Sequence, residues 1–251
     1  MVLKDFFHRN TETLSTNNHF WFPGRWIGGI SMIFAPIVLL TGVLLRIRFY
    51  FFFPQQLSAF KHNPMLMAAS YNFFVAGNIL MWPAIITLVK EIGKKISQMA
   101  LWGGTFVILG LYARTFHGGV DHLAFQLVRV QGLDIATKAV ADSYSGFNII
   151  ATLNGALLFG WLILAIGAYL SGTLGILRSI ALGLMSALMI GVLKGSSLVS
   201  VAATTGLCIA LVPLGIKVLK DGPTPAYKVV VSWAFVIIAV VAILYFLGQA
   251  G

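Results

Sequence analysis

Charge is scarce in this chain: Asp, Glu, Lys and Arg make up 10% of its 251 residues, while 59% are hydrophobic. A soluble domain carries about a quarter charged residues, and the mean hydropathy of +0.91 points the same way, so the sequence reads as an integral membrane protein. Cysteine is nearly absent. The single Cys208 lies in the apolar run Leu207 to Leu211, which rules out an intrachain disulfide and indicates core packing rather than a reactive thiolate. Carboxylates are also few, seven against seventeen Lys and Arg, giving a formal charge of +10. In a soluble protein that excess would suggest nucleic-acid binding. Here the cations stand in ones to threes at the ends of apolar runs, with no basic stripe to track a phosphate backbone. Membrane topology and anionic lipid headgroups explain them better, and no nucleic-acid partner is expected.

Other absences narrow the function. There is no internal repeat of the kind that marks inverted-repeat transporters. The last apolar run has only Lys228, at its edge, whereas a retinal protein needs a lysine at mid-span. A di-haem cytochrome would place histidines opposite each other within the bilayer, and the histidines here fall near its edges. The polar start of the chain, with Asp5 and Glu12 ahead of any long apolar run, is not the pattern of a cleavable signal peptide.

At about 20 residues per crossing, the length accommodates about seven helices and no separate soluble domain. The expected fold is all-α: residues 1–25 form a polar and aromatic interfacial segment, and residues 26–251 form one seven-helix membrane domain. Spans are expected near 26–46, 66–89, 96–116, 147–170 and 227–247, with two more between Leu174 and Lys220 joined by a hairpin at Lys194–Ser197. Arg48–Pro54 is an aromatic run that serves as an interfacial anchor or as the mouth of a lipid-facing groove. The long connection at about 117–143 repeats Leu123, Leu127 and Val130 at helical spacing among polar residues, which predicts an amphipathic helix at the interface broken near Gly132. In the fifth span, Ser179, Gly183, Ala187, Gly191 and Gly195 recur every fourth residue and predict a smooth packing strip.

Polarity concentrates in the stretch Arg114-Thr-Phe-His117-Gly-Gly-Val-Asp121-His122. His117, Asp121 and His122 are candidate ligands for a divalent metal such as zinc, provided that Gly118-Gly119 breaks the helix and lets them converge. On an unbroken helix His117 and Asp121 share a face, and His122 points about 100° away from Asp121. The metal-free alternative makes His117 a general base oriented by Asp121, with Arg114 stabilising a phosphate or carboxylate. A third reading is a polar cap, with Asp121 paired to Arg114 or Arg129. Asp142, Ser143, Tyr144 and Asn148 are read as the start of the fourth span or as contributors to the site.

The leading functional reading is an enzyme acting on a lipid or amphiphilic small molecule, catalytic through His117, Asp121, His122 and Arg114. The alternative is a non-enzymatic transporter or permease subunit, ligand receptor or immunity protein. Membrane lipids are the expected surroundings and the plasma membrane the expected location. With the N-terminus inside, ten Lys and Arg fall on the inner side and seven on the outer, which favours N-inside and C-outside and puts His117 at the outer face. A reporter fused after Gly251 is therefore expected outside and one inserted near Lys94 inside. Cytoplasmic signal from the C-terminal fusion would reverse this topology.

Overall fold

The computed structural model describes residues 21–143, 149–188 and 191–250, and among them all regular structure is helical. Most of the interfacial segment expected at 1–25 lies outside the described residues, as do Tyr144 and Asn148. The long helices are α1 (Arg25–Leu45), α3 (Pro64–Gly93), α4 (Ser97–Gln131), α6 (Ile149–Leu170), α8 (Leu198–Lys220) and α9 (Tyr227–Ala250). Each of these six is long and apolar enough to cross a membrane, so the chain is a multi-pass membrane protein. Shorter helices are α2 (Phe53–His62), α5 (Leu133–Ser143) and α7 (Ile176–Gly183), the last followed by a 3-10 turn at Leu184–Ala187.

Helices α1, α3, α4, α6, α7 and α8 pack into one bundle, with α1 against α3 and α8, and α4 against α3 and α6. Its core contains Leu39, Met81, Ile85, Leu88, Leu111, Leu157, Trp161 and Leu164, all essentially inaccessible. Glycines let the backbones approach. A Cβ on Gly77 would stand 2.7 Å from the Leu39 backbone nitrogen, and one on Gly160 would stand 2.6 Å from that of Val107. Among the described residues α9 packs on none of the other helices, and its apolar surface is exposed all round.

Helix α4 sets the position of everything at one end of the bundle. Its 35 residues run about 52 Å, well beyond the roughly 30 Å of bilayer hydrocarbon. The protruding end carries a second apolar cluster in which α2, α3 and α5 pack around it, with Phe60 stacked on Phe125 at 4.3 Å and Tyr71 edge-on to Phe125 at 4.9 Å. The expected span boundary at Phe116 is thus not a break. Gly118-Gly119 stays helical because Gly118 packs against Val75 of α3, where a Cβ would come within 2.4 Å of a methyl group. The break falls at Gly132, whose φ of +89° suits glycine, as the sequence pattern indicated.

The fifth crossing departs most from expectation. Its helix ends at Ala187, after about 18 Å, and the described residues between it and the start of α8 at Leu198, Leu188 and 191–197, belong to no helix. The packing strip from Ser179 to Gly195 therefore does not form. Gly191 has φ +147° and Leu193 φ +51°, neither helical, and the Leu188 carbonyl and the Leu193 and Gly195 amides bond to other elements instead of to a next turn. The hairpin expected at Lys194–Ser197 turns instead at Val192–Leu193, just before it. Ser197 caps α8 through a reciprocal bond with Ser200.

The glycine contacts generate a stability test. Gly77→Ala and Gly160→Ala, which meet backbone atoms, are expected to cost about 1–3 kcal/mol. Gly155→Ala, whose Cβ meets nothing within 4 Å, should be neutral or stabilising by up to about 1 kcal/mol. Thermal midpoints of the purified variants in one detergent measure the difference, and equal midpoints would mean that the helices are not in close contact.

Candidate functional site

The unwound crossing lies against α4 and is held there by the residues that the sequence singled out. Arg114 donates from Nη2 to the Leu188 carbonyl at 3.0 Å, and Asp121 accepts the Leu193 amide at 2.5 Å. The two side chains are seven residues apart, two turns of one helix, and so lie on one face. Farther along, Gly195 donates its amide to the Phe51 carbonyl at 2.8 Å, and Gln56 reaches the Tyr50 carbonyl and, at 3.0 Å, receives the Tyr71 hydroxyl. Positive φ at the fully buried Leu193 costs about 1–2 kcal/mol, a strain sustained because it aims the amide at Asp121.

These contacts enclose a small polar cavity of about 30 Å³ lined by Arg46, Arg114, Asp121, His117, Lys194 and Tyr71, among others. Arg46 and Arg114 are each only 3% exposed. The Arg46 guanidinium stands 4.5 Å from the Tyr71 ring and 4.6 Å from that of Phe74, while the Arg114 guanidinium stands 5.8 Å from the same Phe74 ring. Each such contact is worth about 0.5–2 kcal/mol, less than the several kcal/mol that burial of an ion costs, and an aromatic face accepts no strong hydrogen bond. Arg46 reaches the Ser70 hydroxyl only at 3.5 Å. Its Nε, and Nε and Nη1 of Arg114, have no acceptor among the described residues. Among the described residues three cations, Arg46, Arg114 and Lys194, face one carboxylate here, an excess of two positive charges apart from His117.

A second, larger space of about 550 Å³ adjoins the first and shares His117, Gly191 and Lys194 with it. Its walls are mostly apolar: Phe116, Val120, Leu123 and Leu127 of α4, Val140 of α5 and Ala151 of α6. His117 approaches Asn154 of α6 across this groove, short of a well-formed hydrogen bond. Ser143 lines the same groove, whereas Asp142 is exposed at the end of α5.

The structure therefore brings together three of the four candidate residues. Arg114, His117 and Asp121 line one cavity, but the continuous helix turns His122 away into a different groove, beside Phe60, Asn72 and Arg129. There His122 is exposed and lies 3.5 Å from Gln126. Among the described residues no three His, Cys, Asp or Glu side chains converge, so the metal set of His117, Asp121 and His122 is not assembled. Its premise was a helix break at Gly118-Gly119, and packing on Val75 prevents that break. Nor does Asp121 pair with Arg129, which reaches Gln126 at 3.2 Å.

Sequence reasoning missed Arg46, Tyr71, Phe74 and the Leu193 backbone, and it read Lys194–Ser197 first as a hairpin turn and only second as the source of a cation for the site. Arg46 ends an apolar run as a topological cation would, and nothing local distinguishes the two roles. The aromatic run after it held a signal: Phe51 lines the cavity, with the Lys194 ammonium 5.7 Å from its ring. Comparison with protein-family models, curated proteins and solved structures finds no match to this chain.

Asp121 and His122 should separate cleanly in stability. Asp121→Ala leaves the buried Leu193 amide without its acceptor and is expected to cost about 1–3 kcal/mol. Asp121→Asn keeps a carbonyl oxygen there and should cost less, and His122→Ala should stay within about 0.5 kcal/mol. Thermal unfolding in detergent reads all three; a His122→Ala loss as large as that of Asp121→Ala would reinstate them as a unit.

Proposed function

We propose that the protein is a membrane enzyme that admits an amphiphile sideways from the bilayer and acts on its polar end at His117. The observation that carries this reading is the apolar groove between α4, α5 and α6, which ends at His117 and Lys194, where the polar cavity begins. Its volume falls within the about 300–1,000 Å³ typical of small-molecule sites, and an apolar chain along Phe116, Val120, Leu123 and Leu127 would bring its head to the histidine.

His117 is the general base of this reading, because imidazole exchanges protons near neutral pH and this ring borders both spaces. Arg114 faces charge that develops on the substrate. Asp121 is a positioning residue, occupied in holding the unwound crossing, and His122 has no part. A divalent metal is not needed for this chemistry. The site lies at the end of the bundle opposite the cavity ringed by Arg25, Lys90, Lys94 and Lys217, which supports an outward-facing site in the plasma membrane.

The unwound crossing favours a second reading, a transporter, since broken helices at membrane depth commonly line substrate paths. Purified protein offered a panel of lipid and isoprenoid amphiphiles distinguishes the two. Conversion is expected, and Ala151→Trp, which fills the groove, should abolish binding. His117→Gln should bind normally but lose about 10²- to 10⁴-fold in kcat. Flux across vesicles without conversion would replace the enzyme by the transporter. Binding unchanged in Ala151→Trp would remove the groove from either account.

A further inference from the structure

We infer that the polar cavity takes a phosphate monoester dianion, the head of the amphiphile whose chain lies in the groove. The inference rests on the lateral-groove reading and adds the chemical class of the head. Its basis is the balance of charge and donors around the cavity.

Among the described residues, Arg46, Arg114 and Lys194 face it against the single carboxylate of Asp121, which the Leu193 amide already engages at 2.5 Å. Two positive charges are left over. A carboxylate or a phosphodiester carries one negative charge and would leave a cation uncompensated in a buried site. A phosphate monoester carries close to two near neutral pH and presents three terminal oxygens. Unspent donors match that demand: Nε of Arg46, and Nε and Nη1 of Arg114, are buried with no acceptor among the described residues. Both arginines are more than nine-tenths buried, so these donors are shielded from bulk water.

Size and direction agree with the charge. The cavity of about 30 Å³ has room for roughly two water molecules, enough for terminal phosphate oxygens but not for a sugar or choline. The ester oxygen can then continue past Gly191, Lys194 and His117, which line both spaces, into the apolar groove. Ser200 lines the cavity from the first turn of α8, so the positive end of that helix lies beside it. This arrangement also places the head next to His117, the base of the proposed reaction.

Binding to wild-type protein in a neutral maltoside detergent tests the inference without relying on variants. Dihexanoyl phosphatidic acid is expected to bind at least tenfold more tightly than dihexanoyl phosphatidylcholine or dihexanoylglycerol, and inorganic phosphate should displace it weakly. Lys194→Gln, at a half-buried position that supports no helix, should reduce the phosphatidic acid affinity at least threefold. Arg114→Gln should reduce it at least tenfold; because it also removes the bond to Leu188, its fold is checked by thermal midpoint. Equal binding of all three amphiphiles would overturn the phosphate site and leave the groove reading intact. Inorganic phosphate binding as tightly as phosphatidic acid would keep the phosphate site and remove the amphiphile reading. No binding of any amphiphile or of phosphate would end both.

Discussion

Within the hydrocarbon of a bilayer, a backbone amide or carbonyl has no water to fall back on, and each one left bare costs several kcal/mol. A crossing whose helix stops at Ala187, with its described residues in no helix until the next crossing begins at Leu198, must therefore find partners on its neighbours. Helix α4 supplies one donor and one acceptor in the required order, Arg114 for the Leu188 carbonyl and Asp121 for the Leu193 amide, two turns apart on one face. The α1–α2 connection supplies a third through the Phe51 carbonyl. Charged side chains suit this task because their hydrogen bonds are about twice as strong as neutral ones, and the surplus offsets part of the cost of burying them. The polar stretch of α4 is thus structural before it is anything else. The cavity is what remains where side chains sized to reach a backbone do not also fill the space between them.

The position of that cavity follows from the length of α4. Because the helix continues past the bilayer edge, its outer third needs a packing partner of its own, and the second apolar cluster around Phe125 provides it. Leu193 is buried in that cluster while its amide meets Asp121. The apolar core below and the aromatic cluster above grip the unwound segment at both ends, and the site lies in the seam between them. Such a seam holds a fixed geometry although part of it is irregular backbone, which is the condition for placing His117 against a bound molecule.

Hydropathy made the helical class and most span limits legible, since a run of apolar residues of the right length has few alternatives in a membrane protein. The break at Gly132 was equally plain, because glycine followed an amphipathic repeat. What could not be read was any feature decided by a distant partner. The every-fourth small residues from Ser179 to Gly195 look like a helix face, and only Arg114, Asp121 and Phe51 make unwinding cheaper than continuing. Gly118-Gly119 looks like a hinge, and only Val75 makes it a contact. The same holds within the site. Local clustering found Arg114, His117 and Asp121, included His122 because it is adjacent in sequence, and missed Arg46, which arrives from a helix that the sequence places far away.

Arg46 also shows how topology and chemistry become entangled. Cations at helix ends are counted toward orientation on the assumption that they face water on one side of the membrane. Of the seven assigned to the outer side, Arg46 and Arg114 are almost wholly inaccessible and belong to the site, which leaves five against the ten on the inner side. The count that set the expected orientation therefore mixes surface cations with buried ones. The same burial makes the cavity electropositive: two charges that the count assigned to the outer surface lie inside, where screening by water is weak and the attraction for an anion correspondingly greater. Capping the Leu188 carbonyl takes Arg114 alone, and Arg46 bonds to none of the described residues of the unwound crossing. Its burial beside Arg114, at the expense of mutual repulsion, is offset in part by the Asp121 carboxylate and the Tyr71 and Phe74 rings, and the negative group inferred above would offset more of it.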